Sequence, residues 1–226
     1  MTVQGAVFFD VDGVLLDSLP QHLAYCSQKA KEYGLLDVRV PSVHEFKRRV
    51  AAGTRVSPMI NFFLAVGFPR ELAERADHDY RHEFTREFPS KPFPGIGEML
   101  KELRAAGFSL GLVTANVREN VEPPLSEYMA YFDPRCLFYF KRSTVYSDKQ
   151  AHLREGARIL RLQPSWCTFV GDQPADAAAA QSAQFRFIGV SYGWGFLESA
   201  DSDRIVNTVS EIAPRILADS TRKQRL

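Results

Sequence analysis

The chain has 226 residues, 45% of them hydrophobic and 24% charged, with 28 Lys plus Arg against 27 Asp plus Glu. A chain of this length buries roughly 70% of its unfolded surface and needs no staple to fold; its apolar content argues against wholesale disorder. The near-neutral balance gives no electrostatic footprint for nucleic acid or an anionic membrane, and no run approaches the roughly 20 apolar residues of a membrane span.

The first apolar run, residues 6–9, ends at Asp10. Residues 15–90 then show helical patterns and no convincing strand. Ser42-Val43-His44-Glu45 has the form of a capping box. Ser57-Pro58 predicts a further helix start, with Pro at the first helical position, and Gly67 its stop. Residues 70–88 form a long charged helical stretch, and a turn-rich segment follows to Gly95. From there strand and helix alternate. A helix from about residue 96 stops at Gly107, and apolar runs follow at 108–113, 137–140, 167–170 and 185–190. Ser147-Asp148-Lys149-Gln150 and residues 208–211 read as further capping boxes. The tail Arg222-Lys223-Gln224-Arg225 reads as a solvated end.

Runs apolar on both faces, linked through helices, predict an α/β fold: a doubly wound, Rossmann-like parallel sheet whose ligand site lies at the carboxyl ends of its strands. Residues 1–14 and 91–226 are expected to form this core. Residues 15–90 are expected to form an inserted helical cap domain overhanging those strand ends, where a lid belongs. Cys26, Cys136 and Cys167 are too widely spaced for a framework or a metal knuckle and read as reduced thiols. No basic-then-apolar leader opens the chain, so a cytoplasmic protein is expected.

The chemistry concentrates at the ends of the runs. In extended backbone Asp10 and Asp12 project to the same side, and Gly13 permits a sharp turn. Two adjacent carboxylates repel unless a cation or a shared proton intervenes, and an oxygen-lined Mg²⁺ site supplies the cation. A strand-ending turn is the plain alternative; an EF-hand loop fails because its central Gly is out of register. Gly171-Asp172-Gln173-Pro174-Ala175-Asp176 puts further acids at a strand end. Thr114-Ala115-Asn116 offers a hydroxyl and free N–H groups that suit phosphate oxygens. Lys149, in the first turn of its helix, opposes the helix dipole, and an anionic partner would account for it.

The order Asp-x-Asp-Gly, Thr, Lys and Gly-Asp-x-x-x-Asp resembles the haloacid dehalogenase-like hydrolase superfamily. Supporting phrases are Gly13-Val14-Leu15-Leu16-Asp17-Ser18, Phe93-Pro94-Gly95-Ile96 and Gly189-Val190-Ser191-Tyr192-Gly193-Trp194-Gly195. The insert is similar to the cap of the phosphoglycolate phosphatase and β-phosphoglucomutase branch. The resemblance implies a Mg²⁺-dependent phosphatase for a small phosphorylated metabolite. Asp10 is then the nucleophile that forms an aspartyl-phosphate, and Asp12 the acid and later the base. Thr114 binds the phosphoryl group, and Lys149 offsets its charge. Asp172 ligates Mg²⁺ beside the Asp10 carboxylate and the Asp12 backbone carbonyl. Asp176 ligates through water or orients Lys149. Gly13 and Asn116 are candidate substrate-binding residues at the phosphate end. His22, in the place of a histidine seen in relatives, and Arg55, on a loop like the cap arginine loop, are candidates at the distal end. A helix-surface histidine and a solvated loop arginine are their ordinary readings.

A phosphomutase shares these core motifs and stays open as an alternative, as does a non-catalytic binding protein. A dehalogenase would not need Asp12 and Asp172 together. A phosphonate-cleaving enzyme would need a cap lysine, and none occurs between Arg48 and Ser90. No nucleic acid or membrane partner is expected, and the chain is expected to act as a monomer or homodimer.

Overall fold

The computed structural model describes residues 4–140, 148–197 and 204–223. In chain order the elements are β1 (Gly5–Phe9), β2 (Leu16–Asp17), α1 (Leu19–Glu32), α2 (Val43–Ala51), α3 (Met59–Val66), α4 (Arg70–Glu87), β3 (Lys91–Pro92), α5 (Ile96–Ala105), β4 (Phe108–Val113), α6 (Arg118–Val121), β5 (Leu137–Phe138), α7 (Lys149–Leu160), β6 (Cys167–Gly171), α8 (Pro174–Ser182), β7 (Arg186–Val190), β8 (Ile205–Val206) and α9 (Ile212–Lys223). Six strands form one sheet in the order β5-β4-β1-β6-β7-β8, every pair parallel. This is the doubly wound α/β architecture that the alternation predicts.

The central strand shows why both faces must be apolar. All five residues of β1 are buried. Val7 and Phe9 join the cluster formed with α5 and α9, while Ala6 and Phe8 join the one formed with α7 and α8. The Phe8 ring is admitted by Gly111 and Gly156, where an added Cβ would lie 2.7 and 2.4 Å from it. Helices α1 to α4 bury a third cluster of their own, rich in Tyr25, Phe46, Phe62, Phe63 and Phe84.

The structure amends several details. Residues 15–90 do contain a strand: β2 pairs antiparallel with β3 and clasps the two ends of the helical insert together. Two-residue strands are too short for a periodic signal. Pro58 is the N-cap of α3 rather than its first helical residue. Ser42 caps α2, accepting from Glu45 N at 3.2 Å, but the Glu45 carboxylate turns to Arg49 instead of completing the box. Asp148 caps α7, its carboxylate accepting from Ala151 N at 3.2 Å; Ser147 lies outside the described residues. A single 3₁₀ turn at Val209–Glu211 precedes α9. The basic tail's side chains are also outside the described residues. All three cysteines are buried and unbridged. No described helix is long and apolar enough to cross a membrane.

Candidate active site

Parallel register brings three strand ends together. Phe9 pairs with Leu112 of β4 and with Val170 of β6, so Asp10, Thr114 and Asp172 emerge side by side at the carboxyl edge. Asp10 and Thr114 border a cleft of about 400 Å³ that Asp12, Asn116, Lys149 and Asp176 also line, with His22, Val56, Met59 and Tyr80 from the helical insert, while Asp172 is fully buried and does not line it. Placing an insert immediately after the central strand seats its helices over this edge.

Asp10 is almost fully buried. Its Oδ1 accepts from Val11 N at 2.8 Å and its Oδ2 from Lys149 Nζ at 2.6 Å. Lys149 also donates to Asp176 Oδ1 at 2.6 Å. Burial, only partly offset by Lys149, pushes the Asp10 carboxyl up to about 7. Burial alone would discharge Lys149, but Asp10 and Asp176 together hold it above the usual lysine value. The dipole objection to Lys149 in the first turn is thereby answered, because two carboxylates face it.

Asp172 is completely buried. Its Oδ2 accepts from Trp194 N at 2.6 Å, and its Oδ1 has no partner. Burial, followed by the charges of Asp176 and Asp10, pushes it well above the usual carboxylate range. Gly13 is held at φ +80°, and a Cβ there would lie 2.1 Å from Asp172 Oδ2. Glycine is therefore required at this turn by space as well as by backbone conformation. Gly13 serves the shape of the site and is not among the cleft-lining residues. Asp176 closes the loop through Oδ2, which accepts from the backbone N–H groups of Asp172 and Gln173, both at 3.1 Å.

Oxygens of Asp10, Asp172 and Asp176 all lie within 4.8 Å of one another. Three buried acids face one ammonium, and one buried carboxylate oxygen is unpartnered. An all-oxygen donor set of this kind fits a hard divalent cation. The Asp12 carboxylate stands outside the cluster because Asn116 Nδ2 donates to its Oδ2 at 2.8 Å.

Thr114 is buried, its Oγ1 accepting from Asn116 N at 3.1 Å. Arg55 is exposed and does not line the cleft, although its neighbours Val56 and Ser57 do. His22 is not on a helix surface. It is buried on the inner face of α1 among Phe62, Tyr80, Phe84 and Trp194, because α1 turns that face onto the other helices of the insert. Tyr80 and Trp194 are among the lining residues missed from sequence. Tyr80 belongs to a buried face with Ala73, Ala76 and Phe84, a spacing visible in the chain, but its approach to Asn116 is not. Trp194 comes from the loop after β7 yet packs in the cluster that α1 to α4 form.

Comparison with known proteins agrees with this geometry. Residues 5–184 match the family model for haloacid dehalogenase-like hydrolases. A phosphoglycolate phosphatase from Synechococcus elongatus is 27% identical over 218 residues, 92% of this chain and 94% of that one. An N-acetylmuramic acid 6-phosphate phosphatase from Pseudomonas aeruginosa is 28% identical over 192 residues, 84% of this chain and 82% of that one. Among solved structures, a haloacid dehalogenase-like family hydrolase from Streptococcus pneumoniae matches with a TM-score of 0.75 at 20% identity, covering 93% of this chain and 97% of that one; this likeness is one of fold.

Proposed function

The chain belongs to the haloacid dehalogenase-like hydrolase family, and from that premise we propose that it is a phosphatase that hydrolyses a small phosphorylated metabolite through an aspartyl-phosphate on Asp10. The observation that carries this reading is the Lys149 ammonium, bonded at 2.6 Å to both Asp10 and Asp176 at the head of the cleft. It orients the Asp10 carboxylate and puts positive charge where phosphoryl oxygens would arrive. In-line phosphoryl transfer asks mainly for positioning and charge neutralisation. The names of the two phosphatases above, each acting on a small phosphorylated molecule, support the substrate class.

In the first step an Asp10 oxygen forms a bond to phosphorus as the bond to the leaving oxygen breaks. Asp12 gives that oxygen its proton, so an alcohol departs. In the second step Asp12 takes a proton from water, whose oxygen attacks phosphorus and releases inorganic phosphate and the free Asp10 carboxylate. Thr114, with the Ala115 backbone beside it in the cleft, holds the phosphoryl oxygens. Asp10 and Asp172, with Asp176 beside them and the Asp12 carbonyl, would hold Mg²⁺, which supplies further charge to offset those oxygens. Residues 15–90 serve as a cap that admits substrate and then excludes water. Arg55, on the loop beside the cleft, would meet the distal part of a substrate when the cap closes. The unbridged cysteines accord with a cytoplasmic enzyme.

The test is a panel of phosphorylated metabolites assayed with Mg²⁺ for release of inorganic phosphate, with mass spectrometry of protein quenched in acid. Phosphate release and a phosphoryl adduct on Asp10 are expected. Isomerisation of a sugar phosphate without net phosphate release would overturn hydrolysis in favour of a mutase.

A further inference from the structure

Asn116 lies beneath the lid with all its polar side-chain atoms engaged. Nδ2 donates to Asp12 Oδ2 at 2.8 Å and to the Tyr80 hydroxyl at 3.2 Å. Oδ1 accepts from Val117 N at 2.8 Å and from Asn120 Nδ2 at 3.1 Å. Two N–H donors pointing at one end of the amide identify that end as the oxygen.

The same donor logic fixes the rest of the chain of bonds. The Ser18 carbonyl only accepts, so His22 Nδ1, 2.6 Å away, carries a hydrogen. Burial pushes His22 below the usual histidine value, so the ring is neutral and Nε2 presents a lone pair. The Tyr80 hydroxyl, 2.9 Å from Nε2, therefore donates to it, and its oxygen is left to accept from Asn116. Each bond thus has a defined donor: Asn116 donates both to Asp12 and to Tyr80, Tyr80 donates to His22, and His22 donates to the Ser18 carbonyl. Packing of the Tyr80 ring on Phe84, with centroids 4.5 Å apart, accounts for its burial but not for where its hydroxyl sits.

We propose that Tyr80 is a positioning residue for Asp12: the seated lid supplies the hydroxyl that fixes Asn116, and Asn116 holds the Asp12 carboxyl for proton transfer. Tyr80 and His22 both ride on lid helices, whereas Asn116 and Asp12 belong to the core. The full network therefore exists only when the lid is down, and the proton donor is set in place by closure. This rests on the phosphatase reading and goes beyond it by giving one lid side chain a share in the acid's geometry.

The test uses leaving groups. Departure of an alkoxide needs a proton from Asp12, whereas p-nitrophenolate is a weak base and leaves without one. Tyr80→Phe keeps the ring and removes only the hydroxyl. With Mg²⁺ it should lower kcat/KM on glycerol 2-phosphate by about tenfold, part of the total that a positioned acid contributes, and on p-nitrophenyl phosphate by no more than about threefold. His22→Phe removes the acceptor that directs the hydroxyl and should give the same selective loss, smaller in size; it carries the test if circular dichroism shows Tyr80→Phe to be unfolded. Equal losses on both substrates, or none on either, would overturn the proposal while leaving the phosphatase reading intact. An unmutated enzyme inactive on both substrates and on the whole metabolite panel would overturn that reading and this inference with it.

Discussion

Two lysines in two regions of this molecule, Lys29 buried and Lys149 largely so, each sit among three acids, and their surroundings give them opposite roles. In the helical insert Lys29 Nζ reaches Glu83 at 2.6 Å, Glu32 at 2.8 Å and Asp79 at 3.5 Å. Those carboxylates are partly exposed, with side chains 31%, 41% and 23% accessible respectively. The hydrogen bond from Lys29 draws Glu32 below its usual value; Asp79 is lowered too, because hydrogen bonds from Tyr33 and neighbouring groups outweigh burial. In the core, Lys149 touches Asp10 and Asp176, and Asp172 waits beside them with an unpartnered oxygen. There burial wins, and Asp10 and Asp172 are pushed up. Acids that keep one side in water behave as a structural ion-pair network. Acids that lose water and face one another store unfavourable energy until a cation arrives.

The sharpest way to break this comparison is Asp10→Asn. It preserves shape and removes the attacking oxygen's charge, so turnover on any phosphoester should fall by about 10⁴-fold or more, with a circular dichroism spectrum like the parent's. Near-parental turnover would leave the core cluster with no catalytic claim. Next is Asp172→Asn, which removes one of the mutually repelling acids. Its melting temperature without added metal should rise, and the stabilisation by Mg²⁺, about 2.7 kcal/mol at a hundredfold excess over Kd, should vanish. A parental response to Mg²⁺ in thermal melts would exclude Asp172 as a ligand.

The lid's cluster should answer in the other sense. Lys29→Met strands three carboxylates that still reach water, and should cost on the order of 2 kcal/mol in chemical denaturation while leaving kcat/KM close to the parent's. A large activity loss without destabilisation would reverse the contrast between the two lysines. A pH slope tests the same contrast through the charge of Asp10. Asp10 binds its proton more tightly folded than unfolded, so its contribution to stability is present at low pH and is lost as pH rises from about 4, the ordinary aspartate value, to about 7. The melting-temperature difference between Asp10→Asn and the parent, both without metal, should therefore widen over that interval. Saturating Mg²⁺ should flatten the slope. A difference that narrows with rising pH would refute the assigned direction.

Much of this site was legible because its chemistry sits at strand ends. The doublet Asp10 and Asp12, Thr114, and the pair Asp172 and Asp176 each follow an apolar run, and parallel strands must align their carboxyl ends. Local pattern also placed the helices of the insert, since Ala73, Ala76, Tyr80 and Phe84 of α4 recur at helical spacing on a buried face. The clasp of β2 on β3 was invisible, because two-residue strands carry no period and pair only across the whole helical insert, from Leu16–Asp17 to Lys91–Pro92. The fate of His22 was equally undecided: a histidine near a helix start reads the same whether it faces water or four aromatic rings.

The sequence by itself determined the parallel sheet, the position of the insert and the acids at the strand ends, because hydrophobic period and turn chemistry are local. Only the tertiary structure decided which acids share one pocket and which oxygen stays unpartnered. It turned the Asp12 carboxylate to Asn116 and away from the cluster, and it brought Tyr80 and Trp194 to the cleft. Those outcomes depend on burial and on side-chain contacts between distant segments, as in the bonds from Tyr80 to Asn116 and from Trp194 to Asp172. Desolvation and hydrogen-bond geometry have no value until the chain has closed around them.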